Sequence, residues 1–308
     1  MGSVDYIDAV NAALDRLRTT GFYIGDFFAN HGPMAAEALA TLGYCEEVDS
    51  WVDANIAHRH HGLLPEPSEP IIDWRVALGD RSRGGDWVQL FQHELAEAPW
   101  REVLRTWWPR LLPGCAGSLT HGLIRTAHAV RSLRETDRPS GLQIEELARA
   151  LGFWATVFTS LATDPGPGDY QTVAVVDRAF SDLTAEYAGH YAITKPSSPI
   201  PLIHTITAPA AMRLLLPELP EELHAPSLRT MARVNAEMFT RFGGHRVSGS
   251  TEPIEADCTF EELAAEAVDI GDEHAIKICE AAMRENAVRP DARYLSAAST
   301  ALGLIRGA

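Results

Sequence analysis

The 308-residue chain has little lysine, no paired cysteines and no long apolar runs. Its 26 basic residues comprise 24 arginines and only two lysines, Lys195 and Lys277. The four cysteines are scattered without a Cys-x-x-Cys pair, which argues against a thiolate zinc site or a thioredoxin-like motif. No apolar run approaches the roughly 20 residues of a membrane helix, and the charged N-terminal residues do not resemble a signal peptide. We therefore expect a cytoplasmic protein without a membrane partner.

Basic charge is also scarce, because 42 acidic residues face 26 basic ones and the formal charge at pH 7 is −16. A surface this acidic repels phosphate backbones, so we expect no nucleic-acid partner. The sequence also lacks the glycine-rich fingerprints of dinucleotide and nucleotide sites and the serine elbow of hydrolases. These absences argue against flavin, nicotinamide and nucleotide sites.

The sequence also has few signals for β-strands. It contains no series of short segments, either alternating between apolar and polar residues or rich in β-branched residues, that are bounded by turns. Apolar residues recur instead at three- and four-residue spacing, as in helices that bury one face. The longest such stripe runs through Ile144, Leu147, Leu151, Trp154, Phe158 and Leu161. Thr259 followed by Glu262 predicts a capping box, whereas Pro109 is expected to end or kink its helix. The sequence therefore predicts an all-α fold.

Segments rich in glycine and proline mark the expected loops. They are Leu64–Pro70, Asp164–Asp169, Lys195–Pro201 and Gly243–Pro253. Asp164–Asp169 is the best candidate for a boundary between two halves, but helical stripes continue on both sides of it. We therefore expect a single large multi-helix domain over residues 1–308.

Twelve histidines is a high count, and four of them share one setting. Each is expected to begin or precede a helix rich in small residues. These four are His31, His121, His204 and His274. Small residues let helix backbones approach closely, as ligands converging from several helices require. One interpretation is a metal site where the helices converge; the other is that an alanine-rich chain places alanine beside every residue type.

The second lysine stands close to one of these histidines. His274 and Lys277 are three residues apart and share one helical face, which Ile270 and Ile278 mark as inward. A buried lysine has a lowered pKa, and its neutral amine can capture carbon dioxide as a carbamate, an anionic oxygen ligand. The alternative is an ordinary surface ion pair between Lys277 and Glu273, which spacing alone favours.

Other histidines are candidates for acid–base roles. His128 follows His121 by two helical turns, about 10.5 Å along the axis, so we expect it to line a pocket rather than bind the same ion. His58, His60 and His61 form a dense cluster before a proline-rich loop, where they suit a substrate entrance or a plain surface. We take His128 and His58 as candidate general bases.

Four segments in a fixed order resemble the questin oxidase family. They are Asn30-His31, Trp107-Trp108 leading into His121-Gly-Leu-Ile, Leu202-Ile-His204-Thr-Ile-Thr, and Asp272-Glu-His274-Ala-Ile-Lys277. The resemblance covers roughly residues 22–284. It implies an all-helical enzyme of secondary metabolism that opens the ring of an aromatic polyketide of the anthraquinone type with oxygen.

The resemblance also implies a metal site. Some members look like mononuclear non-haem iron dioxygenases, with O₂ as co-substrate and Fe(II) held by four histidines and a carboxylated lysine. The matching residues are His31, His121, His204, His274 and carboxylated Lys277. Imidazole and oxygen donors suit ferrous iron. Fungal members often carry a second histidine four residues after the one that matches His121, and this chain has Arg125 there.

Two other function classes compete with the oxygenase. A hydrolase with a carbamylated lysine between two zinc ions is suggested by His58-Arg-His60, which mimics its His-x-His signature. That architecture needs a β/α barrel, and the missing strand pattern counts against it. The other rival is a helical binding protein without catalytic activity, whose histidines are there by chance.

Overall fold

The computed structural model describes residues 5–160, 172–195, 199–243, 245–246 and 257–307. These residues form fourteen α-helices and four strands of two residues each, which confirms the predicted all-α fold. The chain divides into two compact units, residues 1–163 and 164–308. The division falls at the start of Asp164–Asp169, which lies outside the described residues. A single domain over the whole chain stays a prediction.

The first unit contains eight of the described helices and one short hairpin. The helices are α1 Tyr6–Leu17, α2 Gly32–Thr41, α3 Val48–His58, α4 Trp74–Ala77, α5 Gly84–Glu97, α6 Trp100–Leu111, α7 His121–Arg134 and α8 Gly141–Thr156; the antiparallel strands are β1 Tyr23–Ile24 and β2 Phe28–Ala29. Helix α8 packs against α5 and α7, and α7 also packs against α2. Gly122 lets α7 and α8 approach closely, because a Cβ atom there would lie 2.6 Å from the Cα of Trp154.

The second unit surrounds one apolar helix with others. Its described elements are α9 Val173–Ile193, α10 Pro199–Leu215, α11 His224–Phe242, α12 Phe260–Ile270, α13 Glu273–Val288 and α14 Ala292–Arg306, with the antiparallel strands β3 Thr194–Lys195 and β4 His245–Arg246. Helix α10 packs against α9, α11 and α13. Its aliphatic side chains join those of α13 in the core of this unit.

Helix α10 and the turn after it, Pro199–Glu218, are long and apolar enough to cross a membrane by composition. Within the described ranges this is the single segment that passes such a test. Its most apolar stretch is 72% buried inside the protein, as in the central helix of a soluble protein. Burial against three neighbouring helices therefore accounts for its apolar sequence.

Several helix boundaries follow the sequence signals, and others do not. Thr259 and Glu262 form the predicted capping box at the start of α12. Helix α6 continues past Pro109 to Leu111 before it tightens into a 3₁₀ turn. Helix α8 ends at Thr156, so the apolar stripe continues beyond the helix at Phe158; Leu161 lies outside the described residues. In this protein the sequence therefore predicts a helix start with a capping box better than it predicts where a helix ends.

Candidate metal centre

Two buried histidines face each other in the first unit. His31 is the residue immediately before α2, and His121 is the first residue of α7. Their Nε2 atoms lie 2.6 Å apart, and the two ring planes are nearly perpendicular, at 84°. One shared proton or one cation between the two nitrogens satisfies this geometry, since two lone pairs alone would repel each other.

The backbone before His121 orients its ring. Ser118, Leu119 and Thr120 have φ angles of 48°, 53° and 68°, a left-handed conformation that is unfavourable for residues other than glycine. This turn brings the Ser118 carbonyl oxygen to the Nδ1 atom of His121. Nδ1 therefore carries the proton and donates it, which leaves the lone pair on Nε2. Consecutive strained residues of this kind cluster at functional sites.

The second unit carries another pair of buried histidines. His204 lies inside α10, and His274 is the second residue of α13; their ring centres are 5.9 Å apart. The Nδ1 atom of His204 lies 3.1 Å from the Ile200 carbonyl oxygen. The Nδ1 atom of His274 lies 3.2 Å from Oδ1 of Asp272. Both contacts place the proton on Nδ1 and the lone pair on Nε2, as in histidines that bind metals.

Asp272, which sequence reasoning did not single out, holds His274. It is the N-cap residue of α13, and its carboxylate accepts from the backbone N–H of His274 as well as from the ring. Burial by itself would raise the pKa of Asp272, but these hydrogen bonds and the charge of the ring lower it to about 2. Burial lowers the pKa of His274. The imidazole is therefore neutral at neutral pH, the form that binds metals.

Lys277 lies on the same face of α13 as His274 and is only 2% exposed. Its Nζ atom has no hydrogen-bond partner. Burial lowers the pKa of this amine to about 8, against the charges of Glu273 and Asp272. The surface ion pair with Glu273 is not formed, because Glu273 is itself buried and does not hydrogen-bond to Nζ. A buried, unpartnered amine with a lowered pKa is suited to capture carbon dioxide.

The donor chemistry of these residues fits a divalent transition metal. Each unit buries two of the four predicted histidines, and in the second unit Asp272, Glu273 and His274 form a group that could hold a metal ion. Imidazole nitrogens suit iron, zinc, copper or nickel, whereas magnesium and calcium prefer oxygen ligands. The Nζ atom of Lys277, which has no hydrogen-bond partner, also favours a metal site, because a carbamate formed there would add an oxygen ligand.

His128, a predicted general base, is tied to a buried carboxylate. Its Nδ1 atom lies 2.6 Å from Oε2 of Glu37, on α2. Glu37 also accepts hydrogen bonds from Arg131 and from the Tyr6 hydroxyl. Burial opposes ionisation, but the charge of Arg131 and the hydrogen bond from His128 hold the pKa of Glu37 well below its usual range. Sequence reasoning missed Glu37, whose signal is that it is the one charged residue of α2.

His58, the other predicted base, lies in a different setting. It is exposed at the end of α3, and its Nδ1 atom is 2.8 Å from the Ala54 carbonyl oxygen of the same helix. Among the described residues no side chain hydrogen-bonds to its ring. His60 is also exposed, while Nε2 of His61 contacts Oδ1 of Asn55 at 3.1 Å. A catalytic role for His58 stays a prediction.

Arg125 has a structural partner. Its guanidinium donates from Nε and Nη2 to the two carboxylate oxygens of Glu146, at 2.6 and 2.8 Å. A guanidinium is always charged and offers no lone pair, so it cannot bind a cation. His121 is accordingly the histidine of α7 that faces His31.

Comparisons with known proteins give no further guide, since no family model, curated protein or solved structure matches the chain. The resemblance to the questin oxidases therefore stays a prediction from the quoted motifs. The side-chain geometry described above carries the functional argument.

Proposed function

We propose that this protein is a non-haem iron oxygenase that opens the ring of an anthraquinone-type aromatic polyketide. One observation carries the proposal: three buried histidines hydrogen-bond through Nδ1 to an oxygen, with the unpartnered amine of Lys277 beside one of them. Metal-binding histidines nearly always donate their other ring N–H to a carbonyl or a carboxylate. The proposal includes a small-molecule substrate, a cytoplasmic location and neither nucleic acid nor membrane as a partner.

The proposed ligands are residues already described. They are His31, His121, His204, His274 and carboxylated Lys277. When bound, Fe(II) supplies the redox chemistry that lets O₂ react with an organic substrate. Carboxylation forms a bond between Nζ and the carbon of carbon dioxide and releases one proton from the amine. The product is an anionic carbamate, which offsets part of the metal charge in a buried site.

The protein supplies a proton acceptor of its own. Glu37 fixes the Nδ1 proton of His128, and Arg131 balances the charge of that carboxylate. The other ring nitrogen of His128 is then the basic one, as in bases oriented by a third group. We propose that His128 accepts the proton of a substrate phenol, with His58 as the second candidate.

The zinc hydrolase is not retained as a function. A carbamate-bridged site of that type needs a β/α barrel, whereas the described chain is built from helices with strands of only two residues. The His58-Arg-His60 motif lies at the exposed end of α3 and just beyond it, and not on a β-strand.

Oxygen uptake tests the proposed activity. We expect the ferrous protein, prepared without air, to consume O₂ when an anthrahydroquinone is added and no flavin is present. An oxygen electrode measures the rate, and protein loaded with Zn(II) is the matched control because zinc has no redox chemistry. Strict dependence on added flavin, or equal uptake by the zinc form, would contradict the proposal. No uptake with any form would favour the binding protein.

A further inference from the structure

The buried carboxylate of Glu37 accepts hydrogen bonds from side chains on three helices. Its Oε1 atom accepts from Nε of Arg131 at 2.7 Å, from the Thr41 hydroxyl at 3.2 Å and from the Tyr6 hydroxyl. Its Oε2 atom accepts from Nη2 of Arg131 and from Nδ1 of His128, the latter at 2.6 Å. A carboxylate offers roughly four lone-pair sites, so these donors share one negative charge.

Tyr6 reaches this carboxylate from a neighbouring helix. It is the first residue of α1, and α1 packs against α2. Burial and the charge of Glu37 raise the pKa of the Tyr6 hydroxyl, so this group keeps its proton and acts as a donor. Glu135, which follows α7, raises the same pKa. The phenol therefore stabilises the ionised carboxylate and weakens its attraction for other protons.

The guanidinium of Arg131 lies against the ring of His128. Its Nη2 atom is 3.3 Å from Nδ1 of the histidine. Both nitrogens carry protons when Nδ1 donates to Glu37, so two donors meet here, and they become two adjacent cations when the ring is protonated. In a pair of one histidine and one carboxylate, the negative charge favours the imidazolium. Here Arg131 already neutralises that charge.

We propose that Arg131 and Tyr6 are positioning residues that keep His128 neutral by sharing the carboxylate of Glu37. The carboxylate still fixes the Nδ1 proton of the ring and leaves Nε2 as the basic atom. Because its charge is shared, the imidazolium is stabilised less, and the ring can accept a proton and release it again near neutral pH. The role of His128 as a base rests on the proposed function, whereas the effect of its neighbours on its proton affinity does not.

The other elements packed against α7 bring no competing charge to this cluster. Both buried charges of α8 are engaged with other partners, since Glu146 accepts from Arg125 and Arg149 donates to the carbonyl of Thr20. The 3₁₀ turn 117–120 before α7 carries no titratable side chain. The charge beside the candidate base therefore comes from α2 and α7 themselves.

An NMR titration of the histidine side chains in the full-length chain tests this inference. Zn(II) is added at equal concentration, because it does not broaden NMR signals as Fe(II) does, and His128→Gln assigns the signal. We expect Arg131→Gln to raise the pKa of His128 by about 1 or more, because removal of the adjacent cation leaves the carboxylate to stabilise the imidazolium. Arg134→Gln, the matched control, removes the same charge from the exposed side of the same helix and should leave that pKa unchanged.

Two further variants keep the inference testable if Arg131→Gln does not fold. Tyr6→Phe removes one donor from Glu37 and keeps the aromatic ring, so it should raise the pKa of His128 by less than Arg131→Gln does. Arg131→Lys restores the positive charge and should return the pKa towards that of the wild type. A His128 pKa that is unchanged or lower in Arg131→Gln, or in Tyr6→Phe where the other variant does not fold, would overturn the inference.

Oxygen uptake separates this inference from the proposed function. Only the neutral ring accepts a proton, so the acidic limb of the pH profile should move to higher pH in Arg131→Gln by as much as the pKa measured by NMR. A change in the NMR titration without a change in the profile would support the effect of Arg131 and contradict His128 as the base. The NMR result itself depends on neither iron nor activity.

Discussion

Replacing His204 or His274 with alanine is expected to lower the iron affinity of the protein by at least about a hundredfold. The loss of a partner that only orients a ligand already weakens metal binding by about 10- to 100-fold, and loss of the ligand itself is more severe. Both rings are buried, and each has its Nδ1 proton committed to an oxygen. Iron titration of the metal-free protein and metal analysis after gel filtration measure the effect.

The matched control is His224→Ala. His224 is a buried histidine of the same unit, the first residue of α11, but its Nε2 atom lies 3.2 Å from the Leu219 carbonyl oxygen. This variant removes the same imidazole volume and should keep the iron affinity of the wild type. Wild-type iron content in both His204→Ala and His274→Ala would refute the assignment, and equal loss in the control would mean that the variants only destabilise the fold.

Substitutions of Lys277 should separate its charge from its capacity to form a carbamate. Lys277→Arg keeps a positive charge but can neither become a carbamate nor bind iron, and it buries a guanidinium where Nζ already lacks a partner. We expect this variant to lose both iron and oxygen uptake. Lys277→Glu restores a carboxylate on a shorter side chain and should retain some iron.

Lys277→Met is the control for folding. Its side chain is neutral and of similar length, so it avoids the desolvation that lowers the pKa of Lys277 to about 8. We expect Lys277→Met to unfold at a urea concentration no lower than that of the wild type, yet to bind little iron. A fully active Lys277→Arg enzyme, or wild-type iron content in Lys277→Met, would show that the lysine is not a ligand.

Sequence patterns predicted the helices and part of the site. Apolar spacing depends only on which face a helix buries, and this is why the stripe through Leu147 and Leu151 marks α8 correctly. For Lys277 the spacing left an inward face and a surface ion pair with Glu273 open and favoured the ion pair, whereas the structure buries the lysine. Ile270, one of the two residues taken to mark the inward face, ends α12 and is not part of α13. His31 and His121 stand at helix starts, as expected.

Other features depend on contacts that sequence spacing does not encode. His204 was expected near a helix start but is the sixth residue of α10, since this helix begins with Pro199, a residue well suited to a first turn. The left-handed turn before His121 uses three residues that rarely adopt this conformation. Glu37 meets His128 across two helices 91 positions apart. Only the three-dimensional packing reveals such partners.

X-ray data collected above and below the iron absorption edge, on crystals of iron-loaded protein, test the central claim most directly. The account predicts one anomalous peak per chain. The peak should be bonded to Nε2 of the four predicted histidines and to an oxygen of a carbamate on Lys277. A separate peak at each histidine pair, iron bound by one pair alone, or a bare amine at Lys277 in the iron-loaded crystal would contradict it.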